Sequence, residues 1–253
     1  MSRSRRHFVT RVLAGLSAVV LAGCDAVTNS SWGPKVLGAG ERANRSSQRA
    51  LTGRSALAQE FSEADLSPDF RSNGTSNPSD EDYQRLAKDQ FRDWTLKVDG
   101  LVHTPTQLSL AQLRTMKART QITRHDCVEG WSAIGKWTGV PLGDVLALVQ
   151  PQPTARYVVF YCADPMDNDG PRYYESIDLE EAHHPQTILA YELNGEALPV
   201  KNGAPIRVRV ERQLGYKMAK YIMRIELVAD LKGIGGGNGG YWEDQGYEWY
   251  AGI

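Results

Sequence analysis

The sequence predicts a single mixed α+β domain over residues 65–253, and three observations carry that reading. Extended apolar runs and short helical segments are interleaved without the regular strand–helix–strand alternation of a parallel sheet. A hairpin signal, Asn194-Gly195, closes one of those runs. The chain of 253 residues, 41% apolar and 23% charged, is long enough to bury a sizeable core and is ordinary in composition.

Taken from the start, the chain opens with an address. Ser4-Arg5-Arg6-His7-Phe8-Val9 precedes the apolar stretch Val12 to Ala22, the order of charged and apolar regions in an export signal. Paired arginines in that setting resemble a twin-arginine signal, a route that carries folded proteins and so suits a cofactor inserted before export. The stretch closes Leu21-Ala22-Gly23-Cys24, which resembles a lipobox. Cleavage before Cys24 would leave a thiol to be diacylated, making it the membrane anchor. The stretch Val12 to Gly23 is too short to span a bilayer, and no other run reaches the ~18 residues required. Residues 1–24 are therefore expected to place the protein in the periplasm, lipid-anchored, with Asp25 directly after the cysteine favouring the inner membrane.

Residues 25–64, rich in Ser, Asn, Gly, Arg and Ala, read as a flexible tether. Lys+Arg total 29 against 30 Asp+Glu, for a net charge of -1, and Arg3, Arg5, Arg6 and Arg11 all belong to the address. The chain beyond the address is acidic, which excludes a nucleic-acid partner. From Phe61 the pattern sharpens: a turn at Asn73-Gly74-Thr75 leads to a polar helix over Glu81 to Asp89. Strands are expected at Trp94 to Val98, Arg156 to Cys162, Ile188 to Leu193, Ile206 to Val210 and Tyr221 to Val228. Short helices fit Leu108 to Met116, Leu142 to Val149 and Leu179 to His183.

With Cys24 assigned to lipid, Cys127 and Cys162 remain, and a disulfide between them is open outside the cytoplasm. Cys162 ends a buried-looking run, whereas Cys127 lies in the polar segment Arg124-His125-Asp126-Cys127-Val128-Glu129-Gly130-Trp131-Ser132. Arg124 and His125 would lower a thiol pKa, favouring the thiolate that ligates metals; an inert half-buried cysteine is the other reading. His183-His184-Pro185 is a proline-stopped helix end, since adjacent helical residues point about 100° apart and share an ion poorly. Asp167-Asn168-Asp169-Gly170 fails as a calcium loop, because Pro165 and Ser176 would fill the first and twelfth ligand positions. The glycines from Gly235 to Gly240 read as a flexible connector, and no G-x-S-x-G elbow supports a serine nucleophile.

An ordered set remains: HDCVEGWS at 125–132, Gly139-Val140-Pro141-Leu142, Asn202-Gly203-Ala204-Pro205-Ile206-Arg207, Gly215-Tyr216-Lys217 and Lys220-Tyr221-Ile222. Together these resemble the molybdopterin-binding domain of the sulfite oxidase superfamily over about residues 65–253. The likeness is nearest to its periplasmic branch, which includes the catalytic subunits of molybdenum-dependent methionine sulfoxide reductases. The resemblance implies a Mo-molybdopterin cofactor with Cys127 as the thiolate ligand to molybdenum. It implies that Asn202 and Arg207 contact pterin and phosphate, and that Gly215, Tyr216 and Lys217 contact the cofactor. Cys162 stands where relatives have a pterin-contacting threonine, and Asn73 stands near an early pterin-contacting asparagine.

The resemblance implies an oxidoreductase moving an oxygen atom or two electrons to or from a small-molecule substrate, sulfoxide reduction included, served by a quinol-oxidising or cytochrome partner at the membrane. True sulfite oxidases carry arginines just after the cysteine, where this chain has Val128-Glu129-Gly130-Trp131. Sulfite dehydrogenation is the alternative within the class. A non-catalytic surface lipoprotein is the alternative outside it, and Cys127, Arg207 and Lys217 standing together speak against it.

Overall fold

The structure, a computed structural model, describes residues 30, 32–53, 55–166 and 170–253. The export signal with Cys24 and the segment Asp167-Asn168-Asp169 lie outside the described residues. The chain divides into two compact units, Met1–Thr52 and Gly53–Ile253.

In the first unit Gly33–Thr52 is an α-helix of 20 residues. Lys, Leu, Ala, Glu, Arg and Gln fill more than half of it, Pro34 falls in the first turn where its missing N–H costs no helical bond, and the Gly33 N–H donates to Ser30 Oγ at 2.8 Å. The expected flexible tether is thus helical over much of its length. Among the described residues no helix is long and apolar enough to cross a membrane. The expected domain start at residue 65 also falls late. Residues 53–64 belong to the second unit, where the Ala58 N–H donates to Gln186 Oε1 and the Phe61 N–H to the Ile122 carbonyl, both at 2.8 Å.

The second unit contains strands β1 (Thr95–Gly100), β2 (Thr106–Ser109), β3 (Arg119–Asp126), β4 (Ser132–Pro141), β5 (Tyr157–Pro165), β6 (Arg172–Asp178), β7 (Ile188–Leu193), β8 (Glu196–Ala197), β9 (Arg207–Arg209) and β10 (Ile222–Val228). One sheet runs β2-β1-β10-β5-β6, with β1 parallel to β10 and Val98 opposite Ile225. The other runs β3-β4-β7-β8, with β9 on β7. The mixture confirms the α+β class.

In β1 Leu96 and Val98 turn inward while Lys97 stays outside, the alternation of a half-buried strand. The helix Glu81–Lys88 is capped by Asp80, whose side chain accepts from the Tyr83 N–H at 2.9 Å. The helix Leu110–Thr115 begins on a reciprocal Ser109–Gln112 capping box. In Leu142–Val149, the residues Leu142, Val145, Leu146 and Val149 recur at helical spacing and are all fully buried. The hairpin at Asn194-Gly195 forms with both residues at positive φ, 54° and 86°.

Three long strands escaped the sequence reading because polar residues or glycines take part of their buried face and break the apolar period. In β3 the inward residues are Gln121, Thr123 and His125. In β6 Glu175 and Ser176 are fully buried. In β4 two inward positions are glycines held there by close approach: a Cβ at Gly139 would stand 2.2 Å from the Leu189 carbonyl oxygen, and one at Gly135 would stand 2.9 Å from the Phe70 ring. The glycine run 235–240 is likewise no flexible connector. The Asp244 carboxylate accepts from the N–H groups of Gly236 and Asn238, and a Cβ at Gly240 would strike Glu243.

Candidate active site

Cys127 follows the last residue of β3, in a tight turn where the Gly130 N–H donates to the Cys127 carbonyl at 3.0 Å and the Cys127 N–H to the Trp131 carbonyl at 2.9 Å. Gly130 accommodates this with φ of 84°. Beside it pass the turn at 73–75, the end of β5 with Asp164, the 3-10 turn Gly215–Lys217 and the C-terminal helix Tyr241–Asp244. They border a cleft open to solvent and lined by Asn73, Gly74, Thr75, Cys127, Val128, Glu129, Asp164, Met166, Tyr173, Gly215, Tyr216, Met218, Lys220, Trp242 and Tyr247.

Of the residues singled out from sequence, Asn73, Cys127, Gly215 and Tyr216 meet in this cleft. Gly215 is there because nothing larger fits: a Cβ would lie 2.4 Å from the His125 ring. Cys127 and Cys162 are both free thiols, so the disulfide left open by sequence does not form. Burial raises the Cys127 pKa, contrary to the expectation of a thiolate favoured by its neighbours. Strand alternation explains the difference. Arg124 points outward and pairs with Asp126 at 3.0 Å, while His125 points inward, its pKa driven well below the usual value by burial and then by Arg209, so it is neutral.

Cys162, Asn202, Arg207 and Lys217 do not line the cleft. Cys162 is buried in β5 opposite Ile222. Asn202 is buried, its Nδ2 donating to the Phe70 carbonyl at 3.5 Å. Arg207 is fully buried and donates to the carbonyls of Asn202 and Met218, each at 3.1 Å, so it ties its own segment to the residue that follows Gly215-Tyr216-Lys217. Its guanidinium lies 5.2 Å from the centre of the Trp137 ring, with Arg209 on the same indole at 4.4 Å. Lys217 is fully buried between Glu175 and Glu243. Its charge is consumed inside the fold.

The cation that does face the cleft is Lys220, which the sequence placed in the motif set without a role. Its Nζ donates to the carbonyls of Asn73, at 2.6 Å, and Thr75. Burial, then the nearby Arg207, depress its pKa to about 7, and burial lifts that of Asp164 to about 6. Thr75 belongs to the turn at 73–75 that the sequence marked, whereas Tyr173, Met218, Trp242 and Tyr247 escaped the sequence reading. Tyr173 lies in the unread strand β6, and Trp242 and Tyr247 lie far along the chain from any motif, so their only signal is the turn of the chain after β10. The two histidines at 183 and 184 are the helix end that was expected. His184 donates from Nε2 to the Ala56 carbonyl at 3.1 Å and accepts from the Gln186 N–H at Nδ1, 3.3 Å away. Among the described residues no cluster of metal-ligating side chains occurs elsewhere.

The donor set fits an anionic, sulfur-ligated metal cofactor. Cys127 supplies one soft donor in the cleft. Lys220 and Arg207 supply positive charge that the fold does not balance: among the described residues no acceptor reaches Arg207 Nε, and burial and then Arg209 lower its pKa to about 9. An anion beside them would relieve both. The Asn202 Oδ1 and Asp164 Oδ1 atoms are likewise buried without a partner among the described residues.

The chain matches the family model of the oxidoreductase molybdopterin binding domain over residues 83–232. It is 39% identical over 251 residues to an Azospira oryzae protein carried under the provisional name protein-methionine-sulfoxide reductase subunit YedZ1, covering 98% of this chain and 88% of that one. It is 43% identical over 147 residues to the protein-methionine-sulfoxide reductase catalytic subunit MsrP of Xanthomonas campestris, covering 54% of this chain and 46% of the relative. The chain therefore aligns with about half the length of the MsrP relatives. Among solved structures, the sulfane dehydrogenase SoxCD from Paracoccus pantotrophus shares the fold, with a TM-score of 0.50 and 23% identity over 55% of this chain and 39% of that one. The chain belongs to the oxidoreductase molybdopterin binding domain family and is a molybdopterin-dependent oxidoreductase.

Proposed function

We propose that the enzyme reduces sulfoxides, with Cys127 as the protein ligand to molybdenum. The carrying observation is the segment directly after that thiol: Val128 and Glu129 line the cleft, one apolar and one acidic, where a sulfite dianion would need cations and a neutral sulfoxide would not. The names of the relatives from Azospira oryzae and Xanthomonas campestris support the same substrate class. When bound, the cofactor supplies two-electron redox chemistry at molybdenum.

The chain's own part is to hold the group and manage protons. Cys127 would ligate the metal; Asn73, Lys220, Tyr216 and the Gly215 backbone would seat the pterin and its phosphate, with Arg207 holding the flanking carbonyls in place. Reduction of R–S(=O)–R′ to the thioether and water consumes two electrons and two protons. Asp164, near pKa 6, is the cleft carboxyl whose ordinary value burial has moved toward neutrality, as a proton donor requires, while Lys220 would stay charged against the phosphate. The test is to load the protein in a host that makes the cofactor and assay sulfoxides beside sulfite with artificial donors and acceptors. Sulfoxide-dependent oxidation of the donor, lost in Cys127→Ser, is the expected result; turnover of sulfite alone would reverse the assignment.

Export, anchoring and electron supply belong to the same proposal and rest on the sequence. Arg5-Arg6 would route the folded, loaded protein to the periplasm, and Cys24 would hold it at the inner membrane beside a quinol-oxidising or cytochrome partner. Cys24→Ala should move the protein from the membrane fraction to the soluble periplasmic fraction. If the variant stays in the membrane fraction, the anchor is elsewhere.

A further inference from the structure

Beyond β10 the chain leaves the residues matched by the family model, which end at 232, and returns to build one wall of the cleft. Trp242 and Tyr247 form that wall, their rings stacked at 5.4 Å with 28° between planes. The edge of Tyr216 meets Tyr247 at 5.3 Å. The pair is set by backbone: the N–H groups of Gln245 and Tyr247 both donate to the Trp242 carbonyl at 3.0 Å, and Gly246 takes the positive φ of 100° that this tight turn needs. Between the two rings in sequence, Glu243 points the other way, into the core, where it pairs with Lys217. The Tyr216 hydroxyl donates to the Glu248 carbonyl at 2.6 Å, and the Leu214 N–H to the Ala251 carbonyl at 2.9 Å. The C-terminal segment is therefore strapped along the Gly215–Lys217 turn, which also borders the cofactor cleft.

We infer that Trp242 and Tyr247 are the specificity-determining residues of the cleft, holding an apolar or aromatic substituent on the sulfur of the substrate against their ring faces. The inference rests on the sulfoxide reading and names the substrate class within it: neutral sulfoxides with a substituent larger than methyl. Tyr247 is 40% exposed, so its ring is accessible to a ligand, and Met166 and Met218 add polarizable sulfur to the same lining. Aromatic faces and thioethers favour flat or sulfur-bearing apolar groups. Lys217 is a positioning residue here: its bond to Glu243 fixes the wall.

The experiment uses the loaded enzyme and compares kcat/KM for methyl phenyl sulfoxide and dimethyl sulfoxide, with reduced viologen as donor. In Trp242→Ala the preference for the aryl substrate should fall about 10-fold or more, carried mainly by KM, and Trp242→Phe should restore most of it. Tyr247→Ala, at a more exposed position, serves as the second variant and should lower the preference in the same direction. Independently, binding of the unreactive methyl phenyl sulfone, read by ligand-observed NMR, should weaken in both alanine variants. An unchanged preference together with unchanged sulfone binding overturns the inference. A wild type that reduces no sulfoxide overturns the functional reading instead, and the sulfone measurement then decides on the wall by itself.

Discussion

Lys217 Nζ lies 2.5 Å from Glu175 Oε1, with both side chains sealed from solvent and Glu243 completing a buried triad. Two carboxylates share one ammonium, and burial, against the pull of Lys217, holds the Glu175 pKa well above the ordinary carboxylate value. Removing the lysine would leave both acids without their counter-charge. Lys217→Met is expected to lower stability by roughly 3–5 kcal/mol, the usual cost of breaking a buried pair from one side. Urea unfolding of the cofactor-free protein measures it. Combining it with Glu175→Gln and Glu243→Gln should recover much of the loss, whereas an unchanged midpoint in the single variant would mean the triad contributes nothing.

Gly215 and His125 form the tightest joint under the cleft, since a Cβ at 215 would stand 2.4 Å from both Cε1 and Nε2 of the imidazole. The histidine cannot withdraw freely: its Nδ1 accepts from Arg209 Nη1 at 3.0 Å and its ring meets Phe70 edge-on at 5.8 Å. Gly215→Ala should cost roughly 1–3 kcal/mol through overpacking and lower the molybdenum content of the purified protein. Adding His125→Ala, which vacates the space, should restore loading in part. Full molybdenum content in Gly215→Ala alone would show that the joint does not shape the site.

Much of the fold was legible where a strand carries an apolar period or run, or a turn carries its own signal. Leu96 and Val98 inward, a buried run at Val158 to Phe160, and the Asn194-Gly195 turn are patterns that burial of apolar area imposes on any sequence. In the second sheet β7 and β9 were legible as apolar runs, but β3 and β4 were not, since Gln121, Thr123 and His125 occupy the inward face of β3 and glycines part of that of β4, and polar or absent side chains carry no hydrophobic period. The site divides the same way. Cys127 and Gly215 are marked by chemistry and by lack of space, which a motif preserves. Lys217 and Lys220 are two similar cations three residues apart, and sequence alone does not tell which one faces inward to acids and which faces the cleft. Trp242 and Tyr247 reach the site only through the path of the C-terminal segment.

Lys220 offers the last test, because its ionisation reports whether an anion sits beside it. In the cofactor-free protein, burial and then Arg207 depress its pKa from 10.5 to about 7, outweighing the opposite pull of Asp164. Between pH 7 and 9 the unfolded chain thus binds more protons at this position than the folded one, so this group's contribution to stability rises with pH across that window. The gain should amount to about 2–3 kcal/mol at 1.36 kcal/mol per pH unit. Cys127 and Cys162, whose pKa values burial raises, pull in the opposite direction over the upper part of the window. The informative quantity is therefore the difference between wild type and Lys220→Met, in which the Cys127 contribution cancels. That difference should grow with pH in the cofactor-free protein and vanish in the loaded one, where a bound phosphate would keep the ammonium charged. Retention of the cofactor through dialysis at high salt should fall about 10-fold or more in Lys220→Met, in line with ~1.5–3 kcal/mol for a charge-assisted hydrogen bond. A pH-dependent difference that persists unchanged after loading would mean that no anion reaches Lys220 and that the cofactor's phosphate lies elsewhere.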